Sequence, residues 1–188
     1  MNKIIAYVIL FLLSSSIVAE TRIDVFDFKQ KCVRWQKLRS VLVGIPRNYS
    51  RSSIPSELKQ YLLSSNSNLA GKARTAYKGL RRVDQFYKKE LGWNSVDNKG
   101  SPILLLTNLE KKKNGRCSAL NAFYFSGRAN LSKTISVLLG HRNTHLDIAD
   151  DIDTLGHEFT HGIFQATQRY SDHFEKKSLN EGIGDIFG

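Results

Sequence analysis

The sequence predicts an α+β fold, a small, curved, mostly antiparallel sheet packed on a helix that carries H-E-x-x-H. Three observations lead there. Lys72 to Leu91 sets Ala76, Leu80, Val83, Phe86, Tyr87 and Leu91 at helical spacing and closes on Gly92. Ser101–Thr107 (SPILLLT) and Thr134–Leu139 (TISVLL) are short apolar runs that read as strands. Asp147 to Asp153 packs four aspartates directly ahead of a long helical segment, where carboxylates favour the positive end of the helix dipole.

In chain order, Met1-Asn2-Lys3 carries a positive charge, and Ile4 to Leu13 follows as an apolar core. Ser14 to Ala19 then supplies small residues ahead of Glu20, so residues 1–19 read as a secretory signal and the chain as exported. Residues 20–71 read weakly, with short runs such as Val41-Leu42-Val43 and a serine-rich stretch from Ser50 to Ser67. Strands or a short helix with exposed connections are expected there. The pairs Arg81-Arg82 and Lys88-Lys89 read as a solvated helix face, and Lys111 to Gly115 as an exposed turn.

The 188 residues, 41% hydrophobic, suit one globular domain and exclude a mostly disordered chain. No apolar run reaches the roughly 18–20 residues of a membrane span, so no transmembrane segment is expected. A net charge of +11 suits an anionic partner. The basic residues are dispersed without interleaved aromatics, however, so no specific nucleic-acid partner is expected. Nothing in the pattern bears on oligomeric state. Cys32 and Cys117 would form one bridge in an oxidising compartment or stay as two buried thiols, and the sequence leaves both open. Two cysteines cannot build a thiolate cage, so a bound metal would be held mainly by histidine and carboxylate.

The chemistry lies near the C-terminal end. In His157-Glu158-Phe159-Thr160-His161 the two histidines stand four apart, on one helix face, where both imidazoles can reach one metal ion. Glu158 points about 100° around the helix, beside the metal, placed to take a proton from a water held there. A catalytic zinc takes three protein ligands and keeps one position open. His173, Glu175 and Glu181 are the candidates for the third, and Glu181 has the best context. Asp185 lies four residues on, on the same helix face, and can accept the free ring N–H of a ligating histidine. Gly182 and Gly184 weaken that helix, and close helix approach would explain them.

These residues resemble the thermolysin-like neutral metalloproteases. H-E-x-T-H, nineteen residues between His161 and Glu181, and then N-E-x-x-x-D-I-F-G from Asn180 to Gly188 are similar to that family's zinc signature. The metzincin pattern fails, because Phe164 and Thr167 stand where it needs Gly and His. The likeness runs over roughly residues 72–188. It implies a zincin-type fold and a secreted zinc endopeptidase acting on peptide or protein substrates. It assigns zinc to His157, His161 and Glu181, the general base to Glu158 and a supporting role to Asp185. Asn121-Ala122-Phe123-Tyr124 looks like the family's substrate-binding edge strand, with Asn121 offering its amide and Ala122 its backbone. Asp153 matches a family calcium ligand, so Ca2+ is a candidate second ion.

The departures shape the expectation as much. In the family a helical second domain completes the cleft and supplies oxyanion-stabilising groups, whereas this sequence stops three residues past Asp185. Thr154 also replaces an apolar residue that helps line the pocket after the scissile bond. Residues 72–188 are therefore expected to form a truncated peptidase domain. The alternative is a weak or inactive secreted zinc-binding or interaction protein derived from such an enzyme. Glu158 favours the peptidase, since zinc binding alone would not require it.

Overall fold

The computed structural model describes residues 19–46, 48–63, 69–113, 116–118, 122–126, 133–137, 151–167 and 174–188. Strands β1 (Ile23–Val33), β2 (Ile103–Lys113), β3 (Arg116–Ser118), β4 (Ala122–Ser126) and β5 (Lys133–Val137) form one sheet. Its order is β1-β2-β5-β4, with β3 paired to the far end of β2. Helices α1 (Trp35–Val43), α2 (Ser56–Lys59), α3 (Gly71–Leu91), α4 (Ile152–Thr167) and α5 (Phe174–Phe187) surround it.

Strand direction departs from the sequence reading. β1–β2 and β2–β5 are parallel, and only β4–β5 and β2–β3 are antiparallel. The reason is connection length. Residues 34–102 pass through three helices between β1 and β2, which returns the chain to the same end of the sheet. Only the short β2–β3 and β4–β5 links make hairpins. Lys111–Lys113, read as a turn, continues β2 and pairs with Arg116–Ser118.

A parallel sheet covered on both faces explains the unbroken apolar run in β2. Ile103 and Leu105 join Ile23, Val25, Ala76, Leu80 and Phe159 on the side of α3 and α4. Leu104 and Leu106 join Phe26, Phe28, Leu38, Leu42 and Leu58 on the side of α1 and α2. The weakly legible stretch 20–71 thus contributes the edge strand β1 and most of the second face. Within that face Asp24 is fully buried, 2.7 Å from the Tyr49 hydroxyl and from Arg51 Nε, and 3.0 Å from Arg22 Nε.

Helix α3 presents Ala73, Ala76, Leu80, Val83 and Tyr87 to the core, while Phe86 and Leu91 stay exposed. Gly92 ends it at φ 63°, in the left-handed region that favours glycine. Arg81, read as part of a solvated face, is buried. Its Nη1 donates to the Thr21 carbonyl at 2.8 Å, and the Thr21 hydroxyl donates to Asp84 at 2.9 Å, so the charges of α3 anchor the lead into β1. Helix α4 packs on α3, with the Tyr87 ring stacked on Phe159 at 5.1 Å and the Tyr87 and Thr160 hydroxyls 2.6 Å apart. Cys32 and Cys117 are disulfide-bonded, their Cα atoms 5.7 Å apart, which joins the end of β1 to β3.

Candidate active site

Helix α4 starts against Asp151, whose carboxylate accepts the Asp153 N–H at 3.1 Å and the Thr154 hydroxyl at 2.6 Å. From there 3.6-residue periodicity puts His157 and His161 on one face, their rings 4.4 Å apart. Helix α5 crosses that face closely. A Cβ on Gly184 would lie 2.9 Å from the His157 ring, and one on Gly156 would lie 2.9 Å from the Phe187 carbonyl. Gly182 has open space around it, so close approach accounts for Gly184 alone of the expected pair.

That approach brings Glu181 Oε2 to 3.4 Å from His157 Nε2 and 3.5 Å from His161 Nε2. One donor atom from each of the three residues lies within 4.8 Å of the others, and among the described residues no other such group of three exists. His157 Nδ1 lies 3.0 Å from the Asp185 carboxylate, and Nε2 is on the side of the ring that faces Glu181. Burial, the largest influence, lowers the His161 pKa against the opposing pull of Glu181 and Asn180. The neutral ring is the form that binds a metal. Two imidazoles and one carboxylate, convergent and leaving a side open, fit a zinc ion.

Glu158 is 7% exposed, and its carboxylate accepts the backbone N–H of Tyr124 from β4. Burial pushes its pKa up to about 7, with the Tyr124 N–H and His157 pulling down and Glu181 pushing up. A carboxylate titrating near neutrality is suited to taking and returning a proton. It lies in a cleft of about 660 Å³ lined by Ala122, Tyr124, His157, Glu158, His161 and Glu181 among others.

Of the sequence candidates, Asp153 is exposed in the first turn of α4 at the cleft margin, and no described residues join it in a second cluster of three metal donors. Asn121, His173 and residues 1–18 lie outside the described residues, as does the side chain of Glu175. Two residues quoted in the motifs were given no role of their own in sequence. Asn180 lines the cleft with His161 and Glu181, and its place directly before Glu181 was the available signal. Tyr124 contributes a main-chain N–H, for which no side-chain signal exists.

A sequence profile described as "Thermolysin metallopeptidase, catalytic domain" matches residues 17–165, most of the chain. The chain belongs to the thermolysin metallopeptidase family. The match to this family takes in His157, Glu158 and His161 and begins well ahead of Lys72. Similar family proteins include Protease PrtS of Photorhabdus sp. (strain Az29), 29% identical over 60% of this chain and 27% of that protein. Extracellular elastase of Staphylococcus epidermidis is 29% identical over 55% of this chain and 19% of its own length. Gelatinase of Enterococcus faecalis is 28% identical over 75% of this chain and 24% of its own. The chain therefore spans about a quarter or less of the length of these relatives. Among solved structures, the precursor of protealysin, a metalloproteinase from Serratia proteamaculans, is similar in fold at a TM-score of 0.58. That structure is 20% identical, over 93% of this chain and 44% of the other.

Proposed function

We propose that this chain carries the catalytic centre of an exported zinc endopeptidase, with residues 1–19 as its export signal and residues 72–188 bearing the peptidase machinery. The observation that carries the reading is the convergence of His157, His161 and Glu181 beside a buried, unligated Glu158 in one cleft. His157, His161 and Glu181 would hold the zinc, and Asp185 would orient His157. When bound, zinc supplies a Lewis acid that polarises a scissile carbonyl and makes water easier to deprotonate.

Glu158 takes a proton from the water that adds to the peptide carbonyl carbon, and passes it to the departing amine. The Tyr124 N–H occupies Glu158 Oε2, which leaves Oε1 to handle that proton. β4 is the last strand in the sheet order, so an extended peptide can add beside it through main-chain hydrogen bonds. Ala122 stands at the start of that edge, and Asn121 directly precedes it in the sequence.

Cleavage of an unfolded protein substrate by the purified chain tests this. Activity should vanish with chelator, return with zinc, and fall about 10²–10⁴-fold in Glu158→Ala, the range for loss of a general base. Stoichiometric zinc with no cleavage by the parent chain would reject the peptidase and leave the secreted zinc binder.

A further inference from the structure

We propose that the Cys32–Cys117 disulfide is a positioning element of the active site, holding β4, and with it the Tyr124 amide, against Glu158. Only the description of the cleft as catalytic rests on the peptidase reading.

The strands are unequally attached. β1 and β2 share eight register pairs, from Ile23–Ile103 to Val33–Lys111. Among the described residues, β5 meets β2 through two, Leu104–Thr134 and Leu105–Ile135, and β4 pairs with β5 alone. The hairpin that carries Ala122 and Tyr124 therefore joins the sheet along a narrow seam. Besides the contacts of Tyr124 with α4, its other attachment is the chain arriving from β3, which has three pairs at the extreme end of β2. Strand ends open at low free energy unless something else ties them down.

The disulfide is that tie. Cys117 is the middle residue of β3, and Cys32 lies in the well-paired β1, opposite Glu110. Three residues separate Ser118 from Ala122, and each spans at most about 3.5 Å, so fixing Cys117 limits where β4 can start. The same corner makes a second contact with β4. Trp35, at the start of α1, meets Phe125 edge-on at 5.7 Å, and the Arg39 guanidinium lies 5.6 Å from the Phe125 ring centre. Along β4, Phe125 packs toward α1 while Ala122 and Tyr124 line the cleft. A β3 freed from β1 would leave the Tyr124 N–H bound to Glu158 for less of the time.

Amide hydrogen exchange in zinc-replete buffer tests the proposal on the parent chain and on Cys32→Ser/Cys117→Ser. The expected result is exchange over residues 122–126 faster by on the order of tenfold or more, with α3 and the β1–β2 seam unchanged. Zinc content should stay the same, because the proposed ligands lie on α4 and α5. Equal rates in the two proteins would overturn the proposal. So would uniform acceleration or unfolding of the whole chain, which would make the bridge a general stabiliser. Cys32→Ala/Cys117→Val, which adds no hydroxyl, must reproduce the local pattern, and uniform acceleration there counts equally against it. Exchange requires no turnover, so a parent chain that fails to cleave peptide bears on the peptidase reading alone.

Discussion

Helices α4 and α5 meet at the same centre and are built in opposite ways. In α4, Leu155, Glu158, Phe159, Thr160 and His161 are buried, and Phe159 is fully enclosed between α3 and the sheet. In α5, Leu179 is 55% and Ile186 75% exposed, and the side chains of Glu181 and Asp185 face largely outward. α4 is therefore held by the core whatever the cleft contains. α5 is held mainly through its glycine-lined contact with α4 and through the polar groups it brings to the two histidines. A metal held by these three residues would take two ligands from a rigid element and one from an adaptable element.

The largest expected effect tests that asymmetry directly. Phe159→Ala should cost about 3–5 kcal/mol, as deletion of a fully buried aromatic does, while Leu179→Ala should change stability by less than about 0.5 kcal/mol. Chemical denaturation of both variants measures this, and comparable losses would mean that α5 is as firmly packed as α4. Next, Asp185→Asn should weaken zinc binding by about 10–100-fold without lowering the stability of α4. Competition against a chelator of known affinity gives the number, and unchanged affinity would show that His157 is oriented by α4 alone.

The third test is a pH dependence. The folded-state pKa of Glu158, about 7, lies above its ordinary value of 4.5, so folding favours the protonated carboxyl. The cost of burying its charge is absent below pH 4.5, grows as pH rises and is complete above pH 7. In zinc-free protein, Glu158→Gln should thus match the parent at pH 4 and be more stable by roughly 3 kcal/mol at pH 8. Parallel melting curves would sink this if the gap failed to open across that window.

Legibility followed the range of the interactions. α3 could be read within one residue at its start because Ala76, Leu80, Val83 and Tyr87 recur at the helical period and Gly92 caps the end. β2 was visible as Ile103 to Leu106, an apolar run, although its extension through Lys111–Lys113 depends on pairing with β3. β1 was obscure because Asp24, Asp27 and Lys31 interrupt its apolar residues, and Asp24 is accommodated by Arg22, Tyr49 and Arg51 from elsewhere. Arg81 looked like a surface cation for the same reason, since its partners Thr21 and Asp84 include one sixty residues away.

At the centre, the helical repeat alone dictates that His157 and His161 share a face with Glu158 turned aside. That is local geometry and needs no neighbour. The spacing to Glu181 limits which residue can complete the group without bringing it there. Its approach depends on α5 packing across Gly156 and Gly184, and the proton affinity of Glu158 depends on burial beneath β4 and on the Tyr124 N–H. Strand direction and the Cys32–Cys117 pairing belong with these, because each arises from elements that are distant in the chain and adjacent only once it is folded.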